Sequence, residues 1–133
     1  MCMIDWADGR CDVLVCRHQR ARLTHKCTEC GRVIEIGEKY LYERTKFEGD
    51  VQTHRTCPHC ERVRQWLTAE CGGWLWQGVE EDICEHADDW HLYGIGVKML
   101  AIGIRRQWRR RDGTLWRIPS VPKTTHEKMA QKS

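Results

Sequence analysis

No run of the chain approaches the ~18 consecutive apolar residues of a membrane span. The most apolar stretch, Leu92 to Ile104, has 13 residues and contains Lys98. The opening MCMIDWADGRC has neither a basic n-region nor an apolar h-region, so no secretion signal is expected. Phenylalanine occurs once, and no charge sign dominates: the formal net charge is +3, modest for a dedicated nucleic-acid binder. At 133 residues the chain is short for a two-domain enzyme, and one small core is expected. With 41% hydrophobic and 31% charged residues, the composition is not that of a disordered chain.

Cysteine and tryptophan are plentiful, with nine and seven copies. An odd cysteine count without a secretion signal argues against a disulfide scaffold. Four cysteines form two pairs, CTEC at 27–30 and CPHC at 57–60. Two cysteines separated by two residues can turn toward one ion if the backbone makes a tight knuckle, and Gly31 suits that turn. Cys27, Cys30, Cys57 and Cys60 are therefore expected to hold one structural Zn²⁺ in a closed tetrahedron, with no open position for a substrate. A thioredoxin-type redox motif would need one pair, not two. His54, three residues before Cys57, is the alternative ligand of a Cys₃His site; His59 lies inside the second pair, and His25 reads as solvated or as a neighbour of the ligands.

VIEI, KYLYERTKF and VQTHRT read as strands, with a turn at Gly49–Asp50. CPHCERVRQWLTAECGG reads as a helix with Val63, Trp66 and Leu67 on one face, Pro58 in its first turn and Gly72–Gly73 as its stop. Knuckle, hairpin, then a helix carrying the second pair is the treble-clef order. Thiolates there face the positive end of the helix dipole, and Lys26, Arg32, Arg55 and Arg62 lie near enough in sequence to offset their charge. The expected fold is α+β: an N-terminal extension (1–24), the zinc module (25–73), a helical part packed on it (74–119), and a flexible tail (120–133).

RARLTHKCTECGRVIEIGEKYLYE, HRTCPHCERVRQWL and ECGGWLWQGVEEDICEH together resemble a group of small phage and prophage proteins. Those carry an HxCxxCxxxIxxGExY opening and a downstream CxxC. RRQWRRRDGTLWRIP is similar to the tail such proteins often have, so the resemblance spans residues 17–119. It implies a phage-encoded accessory protein in the cytoplasm of a bacterial host, and brings no activity with it.

Trp74-Leu75-Trp76 is expected to pack on the zinc helix. Val79, Ile83, Ala87 and Trp90 share the face of a further helix. Its opposite face is acidic (Glu80, Glu81, Asp82, Glu85, Asp88, Asp89), a solvated surface or a mimic of nucleic acid. Val97, Leu100, Ala101, Ile104 and Trp108 predict a last helix over 96–111, ended by Asp112–Gly113. A hairpin turning at Asp112–Gly113 competes, but there Trp108 and Trp116 would not share a face.

Cys11, Cys16, Cys71, Cys84 and His86 are the candidates for a second metal site; otherwise these cysteines are small buried hydrophobes. A nucleophilic cysteine paired with His86 is the other possibility for Cys84. Arg105, Arg106, Arg109, Arg110, Arg111 and Arg117, interleaved with Trp108 and Trp116, form the dense basic cluster. Arginine contacts phosphate and tryptophan stacks on unpaired bases, so nucleic acid is the expected partner. A solvated cationic face or an acidic protein partner are the other readings.

Three functions follow. The first is a non-enzymatic zinc-stabilised module binding nucleic acid. The second is a protein-binding inhibitor of a host defence (anti-CRISPR-like) or transcription complex. The third is an HNH-type nuclease, for which His54 and His59 are the only histidines near the cysteines, and ERVRQWLTAE offers no second Asn/His pair. Neither a membrane nor a small-molecule substrate is expected as partner.

Overall fold

Lys39–Phe47 alternates along its length: Leu41, Glu43 and Thr45 are buried, whereas Arg44 and Lys46 are exposed. That period of two is what a strand with one covered face requires. In the computed structural model, which describes residues 11–132, this segment is the central strand of a three-stranded antiparallel sheet. We number the strands β1 (Cys11–Arg20), β2 (His25–Lys26), β3 (Val33–Ile34), β4 (Lys39–Phe47) and β5 (Asp50–Thr56). The sheet order is β1-β4-β5, with Arg17 opposite Tyr42 and Tyr42 opposite Arg55. The β4–β5 turn passes through Glu48 and Gly49, both at positive φ. β2 and β3 form a separate two-stranded ladder flanking the first cysteine pair.

The helices are α1 (Pro58–Cys71), α2 (Val79–Asp88), α3 (Trp90–Tyr93), α4 (Ile95–Arg105) and α5 (Thr125–Lys132). α1 starts on Pro58, whose missing N–H has no partner to lose in a first turn. It stops at Gly72, left-handed, whose N–H bonds Thr68 O. The fold is thus mixed α+β. Its core is one cluster running from Cys27, Cys30, Cys57 and Cys60 through Trp66 and Leu67 of α1 to Ile83 of α2 and Val97, Leu100 and Ile104 of α4. Trp74 is buried and lies under the Arg64 guanidinium of α1 at 3.8 Å, while Leu75 faces solvent.

Three segments take a form the sequence did not specify. Within the expected N-terminal extension (1–24), Cys11–Arg20 is a strand paired along β4, and residues 1–10 lie outside the described ones. The helix expected over 96–111 ends at Arg105. Trp108 N–H bonds Gly103 O at 2.8 Å and Gln107 N–H bonds Ile104 O at 3.1 Å, the paired reverse bonds of a Schellman motif, with Gln107 and Trp108 at positive φ. A short hairpin follows, with Arg109 bridged to Leu115 and Arg110 N–H on Thr114 O. The turn is one residue longer than the two-residue one expected, so Trp108 lies opposite Trp116, accepts from its N–H at 2.7 Å, and the two rings meet edge to face at 5.7 Å between centroids. The 120–133 tail contains α5, docked on α1 by Thr125 N–H and Oγ1–H donating to Glu70, each at 2.8 Å.

Candidate metal centre

The first cysteine pair sits in a tight turn between β2 and β3. Cys27 N–H bonds Arg32 O and Gly31 N–H bonds Cys27 O, both at 2.9 Å, and Gly31 takes the left-handed φ of 79°. The second pair occupies the N-cap and first turn of α1. These elements bring the Sγ atoms of Cys27, Cys30, Cys57 and Cys60 within 4.8 Å of one another, all four residues buried. Cys27 and Cys60 are 3.8 Å apart at sulfur, Cys30 and Cys57 3.9 Å. A disulfide needs about 2.05 Å. A tetrahedron with metal–sulfur bonds of about 2.3 Å has edges of about 3.8 Å, so the donor set fits a four-thiolate metal ion.

Four thiols this close do not ionise independently. Hydrogen bonds, chiefly with Cys30, hold Cys27 below the ordinary thiol value. Burial opposes ionisation of Cys57, but hydrogen bonds from Cys27, Cys30 and Cys60 outweigh it and keep it low. Cys30 is pushed up, first by its bond with Cys27, and Cys60 by burial and then by Cys27. A divalent cation is what lets all four be thiolates together.

Neighbours support that charge. Cys57 N–H points at Cys27 Sγ and Trp108 Nε1–H at Cys60 Sγ, each at 3.4 Å. Burial works against the Arg32 guanidinium, yet the Glu38 carboxylate and the Cys57 sulfur hold its pKa above the ordinary arginine value. Arg32 pairs with Glu38 and also reaches His59 Nδ1 at 3.4 Å. The opposite ring nitrogen of His59 lies 2.6 Å from Trp116 O. A carbonyl only accepts, so Nε2 carries the proton and Nδ1 presents its lone pair to Arg32. His59 thus ties the second cysteine pair to Trp116, at the base of the hairpin that follows α4.

The first ligand loop reaches elsewhere. Glu29, fully buried at its side chain, accepts from Gln77 N–H at 2.9 Å and Val79 N–H at 3.3 Å, satisfying the start of α2. It also pairs with Arg64 at 3.4 Å, which binds Glu43 at 2.8 Å. Glu43 further accepts from Trp76 Nε1–H. Neither Glu29 nor His59 had been given these roles from sequence. The only signal was position, each lying between two cysteines.

The other sequence-selected residues are distributed as follows. His54 is not among the clustered donors: its Nε2 faces Thr45 Oγ1 at 3.3 Å and its ring stacks on Trp76. Its pKa is lowered by burial, with Glu43 opposing and Arg64 adding. Cys71 Sγ and His86 Nε2 do meet, at 3.2 Å, with His86 Nδ1 on Asp82 O. Cys84 is not among the described partners of His86, and Cys16 is exposed on β1. Among the described residues no second group of metal donors forms, and the Cys11 side chain lies outside them. Burial raises the thiol pKa of Cys71 and of Cys84, the opposite of an activated nucleophile.

Of the basic cluster, Arg105, Arg106, Arg110, Arg111 and Arg117 are exposed. Arg109 is half-buried and lies 3.9 Å from Glu35. Arg110 also bonds Leu115 O. Trp108 is the correction: at 0% exposure it offers no ring to a base, because its indole fills the space between the metal centre and α4. Trp116 is half-buried beside it. Of the acidic α2 residues, Glu80, Glu81, Glu85 and Asp88 are exposed. No helix among the described residues is long and apolar enough to cross a membrane. No protein-family description, curated protein or solved structure matches the chain.

Proposed function

We propose that the chain is a non-enzymatic phage-type accessory protein, organised by one Zn²⁺ in a treble clef, that binds nucleic acid through the arginine-rich hairpin after α4. The zinc assignment rests on the four buried sulfurs at tetrahedral spacing and on their chemistry: four thiolates select a soft, tetrahedral ion. Once bound, the ion supplies a closed structural cross-link. The treble-clef reading rests on element order: ligand turn, β4–β5 hairpin, then α1 with a ligand pair at its start. A closed site gives a substrate nothing to coordinate. The nuclease alternative would need His54 as base, and that ring is only 3% exposed.

The observation that carries the nucleic-acid reading is the display of Arg106, Arg111 and Arg117 around a hairpin whose base is bonded to the metal centre through Trp108 and His59. Guanidinium groups on a fixed support lose less freedom on meeting phosphate than those on a free tail. The zinc-loaded protein should bind fluorescein-labelled DNA or RNA oligonucleotides in anisotropy titrations, more weakly as salt rises. A variant with Arg106, Arg111 and Arg117 changed to Gln should bind less tightly, with zinc content and circular dichroism unchanged. Equal binding by that variant sinks the hairpin assignment.

A second reading, a protein-binding inhibitor, draws on Leu92, Ile95 and Met99, exposed along α3 and α4. Absence of nucleic-acid binding at low salt would turn attention to that face.

A further inference from the structure

The face of the sheet opposite the core has a different character from the hairpin. Along β4, Tyr42, Arg44 and Lys46 share that face, while Leu41, Glu43 and Thr45 point to the core; Tyr40, at the start of the strand, is itself buried in the core cluster. The register sets Arg17 of β1 and Arg55 of β5 on either side of Tyr42. Both guanidinium groups lie over its ring, at 5.4 and 5.7 Å from the centroid. Cation–π contact with one ring therefore fixes two arginines across three strands, about 10 Å at strand spacings of about 4.8 Å.

Beside this row opens a groove of about 620 Å³, into which Arg20 and Arg22 also project from the end of β1 and the turn beyond it. Among the described residues, no Asp or Glu lines it. Four arginines round one concavity, without a carboxylate, raise a positive potential that the modest net charge of the chain conceals. β4 offers the only carboxylate of its strand, Glu43, to the other face, where Arg64 takes it up.

We infer that this sheet face and groove bind the phosphate backbone of a nucleic-acid strand, with Arg17 and Arg55 as the central phosphate contacts and Arg20 and Arg22 closing one end. Arg44 and Lys46 extend the track along β4. The inference rests on the nucleic-acid reading and adds a surface separate from the hairpin. Planar guanidinium forks already oriented by Tyr42 suit bidentate phosphate contact.

The test uses full-length, zinc-loaded protein and fluorescein-labelled single-stranded dT and U oligomers, with a duplex of equal length as a further arm. Wild type, Arg17→Gln/Arg55→Gln and the hairpin triple variant are titrated from 50 to 200 mM salt. Circular dichroism and zinc content check that each variant is folded. The sheet variant should bind single strands at least tenfold more weakly, whatever the hairpin variant does. Its salt slope should be shallower by about 1.4, from a slope of about 0.7 per phosphate contact on single strands. Preserved affinity and slope in the sheet variant, with loss only in the hairpin variant, would overturn this inference and leave the hairpin reading standing. No binding by wild type at 50 mM salt would overturn both. A tenfold loss on the duplex arm alone would overturn the strand assignment.

Discussion

The indole of Trp108 fills the core and also donates to a metal-site sulfur. Trp108→Phe keeps an aromatic ring and removes the N–H. Partners of this kind typically affect metal affinity by about 10–100-fold, so the variant should yield zinc to a competing chelator at least tenfold more readily. Glu29 has a comparable double attachment, to the start of α2 and to Arg64. Glu29→Ala leaves the first N–H of α2, the N–H of Gln77 just before it and a buried guanidinium short of a partner. Unsatisfied buried groups cost about 1–3 kcal/mol each, so urea unfolding should show a loss at the upper end of that range or beyond. The sequence made the four cysteines readable because CxxC spacing is a local constraint. Glu29 and His59 were not readable in the same way: their partners, Gln77 and Trp116, are brought near only by the finished fold.

At the scale of elements, the α4–hairpin junction depends on close approach. A Cβ on Gly103 would fall 2.2 Å from the Trp108 ring. Gly103→Ala therefore favours the helix by propensity yet must displace a buried indole, and overpacking of that kind costs about 1–3 kcal/mol. A lowered thermal midpoint, with the Trp108 near-ultraviolet signal altered, is the expected result. α5 hangs on Glu70, whose carboxyl is held low despite burial by bonds from Thr125 and by His126. Its docking is thus complete above the ordinary carboxylate value of 4.5 and is lost as pH falls through the lowered one. Glu70→Gln should speed amide exchange in α5 relative to α2 at neutral pH and remove that dependence. Local signals explain which elements were legible. β4, β5 and α1 carry alternation, Gly49, Pro58 and Gly72, and all were anticipated. The end of α4 was hidden because Gln107 occupies the left-handed position where glycine is the usual mark. β1 and α5 were missed because each is defined by a distant partner, β4 and Glu70.

For the molecule as a whole, the clustered cysteines and the apolar core are one structure. Structural zinc contributes about 10–16 kcal/mol in small modules, as much as the entire stability of a typical domain, about 5–15 kcal/mol. Chelation at neutral pH should therefore abolish both the helical and the tryptophan near-ultraviolet dichroism, and added zinc should restore them. Retention of both signals in metal-free protein would contradict this dependence. The residues between the cysteines carry a consequence for anyone transplanting the motif. CTEC sends Glu29 to α2 and CPHC sends His59 to Trp116, so each pair is a two-sided connector whose filler residues address different parts of the chain. A chimera that kept the cysteines but drew its spacers from an unrelated zinc protein would capture its ion and still fail to recruit the second half.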